Sequence, residues 1–389
     1  MTEFVLNQTL LAIQPSPIRS FNDKISGIDG ILKLTLGEPD FPTPSFIKEA
    51  AIKAINADLN GYTHSRGLIE LRQAIARFLQ RKYQLNYRPE DEIIVTVGAT
   101  EALFATFMTI LNPGDKVIVP SPNYVIYGTH VKLAGAELVS VDVSDSEFIL
   151  TGERLVATLA QHPETKVLLL NHPCNPTGAT YTREQLEDVL AIAKKHQLIV
   201  VSDEIYSELT YGDAHVSVAS ILPEQTILIN GTSKAHAMTG WRSCFIAAPA
   251  NFTNQIFKVH QAAVNTPTSV SQYASIAAYD QGDDSILAMR DAYRERRDLL
   301  IAGFQQMGYA TSAPQGAFYL FVKVPDWFEG DDFAFCLALA EKAKVGVVPG
   351  QAFGEAGRGY FRLSYAASVE QLQEALQRIA TFTQQERGE

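Results

Sequence analysis

The chain has 389 residues, 46% of them hydrophobic and 19% charged, a size and composition that predict a soluble protein of about two globular domains. Its formal net charge of −11, without a basic cluster, argues against nucleic acid as the main partner. Three cysteines without a Cys-x-x-Cys pair argue against a disulfide framework or a zinc site, so we predict no metal. The lack of a long apolar run or a signal-peptide pattern predicts a cytoplasmic protein that does not enter a membrane.

Short apolar runs alternate with helix-length stretches through the middle of the chain. The apolar runs predict seven strands, at residues 93–97, 116–119, 137–141, 167–170, 199–202, 227–229 and 244–247. Residues 100–111, 123–133 and 183–196 predict helices between them. Because continuous apolar strands that alternate with helices form parallel sheets covered on both faces, we predict an α/β fold with a mostly parallel seven-stranded sheet.

The C-terminal part of the chain has a different pattern. A long, charged and periodic stretch at residues 288–307 predicts a connecting helix whose charges face solvent. Beyond it, residues 318–322, 345–348 and 359–364 predict strands, and residues 332–343 and 369–381 predict helices. This grouping predicts a second, smaller α+β domain.

A lysine stands between two of the predicted strands, in a loop rich in small residues that runs from 232 to 242. Lys234 follows Ser233, and Arg242 lies further along the same loop. A lysine at the end of a buried strand loses hydration, which lowers its pKa and frees the amine to act as a nucleophile. With a hydroxyl and a guanidinium near it to bind a phosphate, the arrangement suits a Schiff base with pyridoxal phosphate. An exposed lysine in a polar loop is the alternative.

Three further segments extend this pattern. They are Asn-His-Pro-Cys-Asn-Pro-Thr-Gly at 171–178, Ser-Asp-Glu-Ile-Tyr at 202–206 and Tyr-Phe-Arg-Leu-Ser-Tyr at 360–365. Together with the lysine segment, and in this order, they resemble the class I/II aminotransferases, which are fold-type I pyridoxal-phosphate enzymes. The resemblance extends from about Leu34 to the C-terminus. It implies a large cofactor-binding domain at 46–287 and a small domain at 288–389, with which the segment 1–45 packs.

Asp203 is the candidate for the carboxylate that keeps the pyridine nitrogen of the cofactor protonated. It follows the apolar run 198–201, so it lies at the carboxyl edge of the predicted sheet, where α/β proteins bind ligands. A carboxylate there is costly unless it is paired, and a pyridinium proton supplies the pairing; a helix N-cap is the alternative. The resemblance implies that Tyr206 takes part in catalysis as a ligand of the ring oxygen, and Glu204 should point elsewhere.

The predicted phosphate site combines backbone and side-chain donors. Gly98, Ala99 and Thr100 follow a predicted strand and begin a helix, whose first amides attract a phosphate. The Thr100 hydroxyl adds a donor, and Ser233 and Arg242 complete the site, since a guanidinium can bind a phosphate through two parallel hydrogen bonds. Aminotransferases of this kind often have Ser or Asn where this chain has Ala99, which leaves this residue only its amide.

Two further cofactor contacts follow from the resemblance. Asn175 belongs to an Asn-Pro-Thr-Gly sequence that would form a turn in any protein, and the resemblance implies that it donates to the ring oxygen near the substrate carboxylate. The same resemblance implies a cis peptide before Pro176. Tyr124 matches the residue that stacks on the cofactor ring. An ordinary core tyrosine is the alternative for Tyr124, and Tyr127 is a rival for the stacking position.

The substrate contacts involve the last domain and a second subunit. An arginine inside the apolar strand 360–365 is costly unless it meets an anion, and the planar fork of Arg362 fits an α-carboxylate. The resemblance implies that Gly37 assists Arg362 in binding the substrate. It also implies that Tyr62 reaches the phosphate of a neighbouring subunit, so we predict a homodimer.

The implied activity is transfer of an amino group from an L-amino acid to a 2-oxo acid. Lys234 would move the α-proton, and the two half-reactions would give ping-pong kinetics with 2-oxoglutarate as the expected acceptor. Residues 259–265 lack the arginine with which dicarboxylate-specialised relatives bind a second carboxylate, and Lys258 cannot form the same fork. We therefore expect an aromatic or broad donor range.

Three alternatives remain at this point. An N-acetyl-diaminopimelate aminotransferase is one, because the segments 16–21 and 34–41 resemble both that type and the aromatic type. A pyridoxal-phosphate-dependent carbon–sulfur β-lyase would use the same residues. A regulator built on an aminotransferase-like domain would need a DNA-binding module before Leu34, where too few residues are present.

Overall fold

A computed structural model describes residues 6–11 and 13–388 of the chain. Residues 1–5, which belong to the predicted N-terminal segment 1–45, lie outside the described residues, as do residues 12 and 389. The strands are β1 Leu32–Lys33, β2 Ile93–Thr96, β3 Lys116–Ser121, β4 Glu137–Asp142, β5 Thr165–Asn171, β6 Ile199–Asp203, β7 Thr226–Gly231, β8 Cys244–Ala247, β9 Tyr319–Lys323, β10 Val345–Gly346, β11 Val348–Pro349 and β12 Tyr360–Ser364.

Helices separate most of these strands. The helices are α1 Gln8–Leu11, α2 Pro17–Ile25, α3 Ser45–Asn56, α4 Ile69–Tyr83, α5 Gly98–Ile110, α6 Ile126–Leu133, α7 Gly152–Gln161, α8 Arg183–Lys195, α9 Thr232–Ala235, α10 Ala250–Val264, α11 Ser269–Gln281, α12 Asp283–Gln306, α13 Asp332–Ala338 and α14 Val369–Arg387. None of the helices in the described part of the chain is both long and apolar enough to cross a lipid bilayer.

The seven predicted central strands form one sheet, in the order β2-β8-β7-β6-β5-β3-β4. All neighbouring pairs are parallel except those of β8, which runs antiparallel to β2 and β7. Separate apolar clusters cover the sheet: one joins it to α5 and α6, and another joins it to α7 and α8. Burial on both faces explains why the strands other than the edge strand β4 are mostly apolar, and the predicted fold class is confirmed.

Local sequence signals account for the helix starts that matter for the site. The helix α8 begins with a capping box, in which the Thr182 side chain and the Gln185 side chain each bond to the backbone of the other residue. The helix α5 begins at Gly98, two residues earlier than predicted, because Gly98 adopts φ +82° and turns the chain directly from β2 into the helix.

The C-terminal elements form a second, smaller layer. Strands β11, β12 and β9 make an antiparallel sheet, while β10 pairs in parallel with β1 from the N-terminal segment. The single strand predicted at 345–348 is therefore wrong: Val345 pairs with Leu32, whereas Val348 pairs with Arg362 in a different sheet. The helix predicted at 332–343 ends its α-helical part at Ala338, and its last turn is a π-helix.

The N-terminal segment shares a core with the C-terminal elements. Phe21 and Ile25 of α2 are buried in the same apolar cluster as Phe335, Leu339 and Val345. The backbone amide of Leu34 also bonds to the Gly346 carbonyl oxygen, at 2.8 Å. These contacts agree with the implied packing of the segment on the small domain, and the boundaries 1–45, 46–287 and 288–389 stay predictions.

Candidate active site

A cavity of about 900 Å³ lies at the carboxyl edge of the central sheet, against the second layer. Its wall brings together most of the predicted site residues, which are Gly37, Ala99, Thr100, Tyr124, Asn175, Asp203, Tyr206, Ser233, Lys234, Arg242 and Arg362. Gly98 lies beside the cavity, behind Arg242. Tyr62 is apart from this group and is 89% exposed.

Lys234 lies in the one-turn helix α9, which follows β7 directly. Its Nζ donates to the carbonyl oxygen of Gly37. Burial lowers the pKa of the Lys234 ammonium from 10.5 to about 8. The unprotonated amine, the form that a nucleophile or a general base requires, is therefore far more abundant near neutral pH than for an ordinary lysine. The alternative of an exposed lysine in a polar loop is wrong for this chain.

Asp203 ends β6 and is 3% exposed. Its Oδ2 accepts a hydrogen bond of 2.8 Å from the Tyr127 hydroxyl, and its Oδ1 accepts one of 3.3 Å from the Ile205 amide. Burial raises the pKa of this carboxyl to about 6, although the bond from Tyr127 opposes that rise. A turn follows Asp203 where the N-cap alternative needs a helix, and no cation forms a salt bridge with this carboxylate among the described residues.

Tyr127, considered above as a rival for stacking on the cofactor ring, instead donates its hydroxyl to Asp203. It is 1% exposed, and its ring meets that of Tyr124 edge to face with centroids 5.7 Å apart. Tyr124 lines the cavity beside it. Tyr124 and Tyr127 are three residues apart, a spacing that in a helical turn places both side chains on the same face. Nothing in the sequence indicated the hydrogen bond from Tyr127 to Asp203.

Glu204, the residue after β6, does not line the cavity, in agreement with the expectation that it points elsewhere. Its carboxylate accepts hydrogen bonds from the hydroxyls of Ser202 and Ser217, at 2.8 and 3.1 Å. His215 lies 2.8 Å from its other oxygen. The charge of this fully buried acid is thus satisfied on the opposite side of the strand from Asp203.

The start of α5 and the loop after α9 together form an anion-binding cup. A Cβ atom at Gly98 would lie 2.1 Å from a guanidinium nitrogen of Arg242, so only glycine allows Arg242 to sit over the helix N-terminus. Arg242 is held there by a bond of 2.8 Å from its Nη1 to the Thr239 carbonyl oxygen. Helix amides, a guanidinium and the cavity-lining Ser233 and Thr100 fit a phosphate.

Arg362 is 2% exposed on β12. Its Nη1 donates to Asn175 Oδ1 at 2.8 Å, its Nη2 donates to the Thr35 carbonyl oxygen at 2.6 Å, and its Nε has no partner among the described residues. The guanidinium lies 4.4 Å from the ring centre of Tyr319. No carboxylate of the described residues pairs with it, so a charge-matching anion must come from a ligand.

Tyr319 is a site residue that the sequence did not reveal. Its hydroxyl lies 2.7 Å from that of Tyr206, and it lines the same cavity. A Cβ atom at Gly37 would lie 2.2 Å from the Tyr319 hydroxyl oxygen, which explains why a glycine is needed there. Asn175 is joined to Pro176 by the expected cis peptide, and its backbone amide donates a hydrogen bond of 2.9 Å to Asn171 Oδ1.

These residues fit pyridoxal phosphate on three observations. The cup at Gly98 and Arg242 suits its phosphate, and the buried carboxylate of Asp203 lacks the cation that a pyridinium nitrogen would supply. Lys234, with its lowered pKa, opens on the same cavity.

Comparisons with known proteins agree on one family. The model of "Aminotransferase class I and II" matches residues 29–379. The chain is 43% identical to the "Probable N-acetyl-LL-diaminopimelate aminotransferase" of Bacillus subtilis, over 99% of this chain and 97% of that protein. It is 41% identical to the aspartate aminotransferase of Geobacillus stearothermophilus, over 92% of each. The structure of the Thermus thermophilus aspartate aminotransferase with maleate superimposes with a TM-score of 0.92 at 38% identity, covering 98% of this chain and 100% of that one.

Proposed function

Because the chain belongs to the class I and II aminotransferases, which use pyridoxal phosphate, we propose that it transfers the amino group of aromatic or varied L-amino acids to 2-oxoglutarate. The observation that carries this proposal is the convergence of Lys234, Asp203 and Arg362 on one cavity. These three side chains supply a nucleophile, a carboxylate without a cation and a cation without a carboxylate. Each lacks the partner that cofactor or substrate would provide.

Lys234 is the proposed catalytic base and acid. Pyridoxal phosphate supplies an aldehyde that captures the amino group and a ring that withdraws electrons from the α-carbon. Lys234 Nζ would hold the cofactor in the resting enzyme, and once freed its amine would accept the proton of the substrate α-carbon and later release it. A pKa of about 8 suits an amine that must both accept and release a proton.

Asp203 is proposed to hold the proton on the pyridine nitrogen. Its two oxygens are fixed by Tyr127 and by the Ile205 amide, so the carboxylate cannot rotate away from the cavity. Because Asn175 Oδ1 already accepts from Arg362, its Nδ2 is left to donate to the ring oxygen, together with the Tyr206 hydroxyl. These donors stabilise the negative charge that develops when the α-proton leaves.

The remaining residues are proposed to place the reactants. Arg362 binds the α-carboxylate of the substrate with its Nε and the outer edges of its fork, next to Gly37. Tyr124 stacks on the ring of the cofactor. The phosphate is bound by the amides of Gly98, Ala99 and Thr100 and by the side chains of Thr100, Ser233 and Arg242, as the geometry of the cup supports.

A homodimer completes the proposed site. Tyr62 is 89% exposed and does not line the cavity of its own chain, so a phosphate contact from it requires the cavity of a second subunit. Exposed apolar side chains at Ile52, Ile55 and Leu59, 55%, 54% and 42% accessible, supply a surface that a second copy would cover. We also propose a cytoplasmic location, which the three free cysteines support.

An amino-donor panel tests this function. The holoenzyme is mixed with 2-oxoglutarate and single amino acids, including N-acetyl-diaminopimelate because of the relative named for it. We expect glutamate to form with several aromatic and aliphatic donors. Glutamate from N-acetyl-diaminopimelate alone would replace the broad range with that substrate. Release of ammonia and pyruvate from cystathionine, without any oxo acid, would instead indicate a β-lyase.

A further inference from the structure

Arg19 is a charged residue on the cavity wall that the proposed mechanism does not use. It lies in the first turn of α2, and both it and Ile18 line the cavity. The helix is anchored beside that wall, because Ile18 packs against the apolar cluster of Phe321 and Phe353 and Phe21 is 3% exposed. The position of Arg19 at the opening is therefore set by the packing of its helix.

Arg19 differs from the three other lysine and arginine side chains that line the cavity. Lys234 donates to Gly37, Arg242 to Thr239, and Arg362 to Asn175 and Thr35. Within residues 6–11 and 13–388, Arg19 has no hydrogen bond or ion pair, and the residue is exposed. Its five N–H donors are therefore available to a ligand.

Arg19 lies on the same cavity as the proposed substrate site. The residues that line this cavity include Tyr124 and Arg362 as well as Arg19. An anion held by Arg362 is therefore bound in a cavity that also contains Arg19.

The proposed acceptor, 2-oxoglutarate, needs a second cation in the cavity besides Arg362. In a ping-pong reaction one cavity binds donor and acceptor in turn, and 2-oxoglutarate carries a second carboxylate beyond the one assigned to Arg362. Leaving that carboxylate unpaired in a partly closed site would be costly. Residues 259–265 contain no arginine, and the Lys258 ammonium donates to Gln255 at 2.6 Å without lining the cavity.

Nearby carboxylates do not neutralise Arg19. Glu101 also lines the cavity, but its oxygens are engaged by the Val97 amide at 3.0 Å and by His260 at 3.1 Å. Leu36, 56% exposed, gives the opening an apolar surface close to Arg19. An exposed arginine can move out toward solvent and leave that surface to a neutral side chain.

We propose that Arg19 binds the distal carboxylate of dicarboxylic substrates, 2-oxoglutarate and acidic amino acids, and so lets one cavity accept both charged and neutral side chains. This inference rests on the proposed transaminase site, because it takes Arg362 as the ligand of the α-carboxylate. Arg19 is then the residue that determines acceptor specificity.

The test compares two oxo acids in Arg19→Gln, Arg19→Lys and wild-type holoenzyme. One donor is held constant, and kcat/KM is measured for 2-oxoglutarate and for 2-oxohexanoate, whose chain ends in a methyl group. For Arg19→Gln we expect the preference for 2-oxoglutarate to fall about tenfold to a hundredfold, the range of one charged hydrogen-bonded contact. Arg19→Lys should retain part of it, because the charge stays and the fork is lost. Lys24→Gln, on the same helix but away from the cavity, should change nothing.

A binding measurement separates this inference from the proposed function. Titration calorimetry of the holoenzyme with glutarate and with butyrate, which do not react, should show that Arg19→Gln weakens only glutarate. Equal losses for both oxo acids, or an unchanged glutarate affinity, would overturn the assignment of Arg19 while transamination continued. Absence of amino transfer in the wild type, with glutarate binding still dependent on Arg19, would overturn the proposed function instead.

Discussion

Removing the charge of Asp203 should make the cofactor-free protein less sensitive to pH. The carboxyl is 3% exposed and has a pKa raised from 3.8 to about 6 by burial. A raised pKa in the folded state means that the group contributes stability below pH 4, where it is protonated in both states. This contribution is lost as pH rises through about 6, because the unfolded chain then gains more from ionisation than the folded chain does.

The size of the effect follows from the two pKa values. A rise from 3.8 to about 6 corresponds to about 3 kcal/mol between the limits of low and high pH. About 2 kcal/mol of this loss falls between pH 4.5 and pH 7.5, where the protein can be studied near its working conditions. The Tyr127 hydroxyl, 2.8 Å from Oδ2, donates to the carboxylate, and this hydrogen bond limits the rise of the pKa but does not abolish it.

The assay is chemical denaturation of wild type and Asp203→Asn, stripped of cofactor and at one protein concentration. Changes of packing in the variant are independent of pH, so the informative quantity is how the difference in unfolding free energy changes with pH. We expect Asp203→Asn to gain about 2 kcal/mol on wild type between pH 4.5 and 7.5. Asp326→Asn, which removes a carboxylate that is 91% exposed, should show no such trend. A difference in unfolding free energy between Asp203→Asn and wild type that does not change with pH would refute the argument that burial raises the pKa of this carboxyl.

Three further substitutions test other contacts of the site. Arg362→Lys keeps the charge but loses the fork, so it should lower kcat/KM for amino acids by the equivalent of about 1.5–3 kcal/mol. Cofactor affinity, measured by titration, should stay unchanged. Tyr127→Phe removes a donor to Asp203, so it should extend the pH-dependent loss of stability of the cofactor-free protein to higher pH; an unchanged profile would mean the bond is of no consequence. Tyr62→Ala subunits mixed with Lys234→Ala subunits should recover activity above either parent, because one site of each heterodimer is then intact; no recovery after proven exchange would place Tyr62 outside the neighbouring site.

The central sheet and the main site residues could be predicted from the sequence because their signals are local. Every central strand except the edge strand β4 is buried over most of its length, so its apolar run is continuous and visible. Three charged residues lie in or close after such runs: Lys234, Asp203 and Arg362. The free-energy cost of burying a charge at such a position is evident without knowing the fold. The expectation that Glu204 points away from the cavity agrees with its hydrogen bonds to Ser202 and Ser217.

The parts that were missed depend on contacts between distant segments. The split between β10 and β11 arises because Val345 pairs with Leu32 and Val348 with Arg362, and neither partner is visible from an apolar run of four residues. Tyr319 lies in a correctly predicted strand, but its bond to Tyr206 joins residues that are 113 positions apart. Arg19 is an ordinary helix residue in the sequence, and only the folded cavity makes its lack of a partner informative.

The most direct test of the whole account is to reduce the holoenzyme with borohydride and identify the lysine that retains the cofactor. Wild type should carry the label on Lys234 alone, because this amine combines a lowered pKa with a position on the cavity that holds Asp203, Arg242 and Arg362. Lys234→Ala should bind the cofactor without retaining it after reduction and should lose transamination by several orders of magnitude, about the contribution of a nucleophile and proton carrier combined. A label on any other lysine, or full activity in Lys234→Ala, would contradict the assignment of this cavity as the active site.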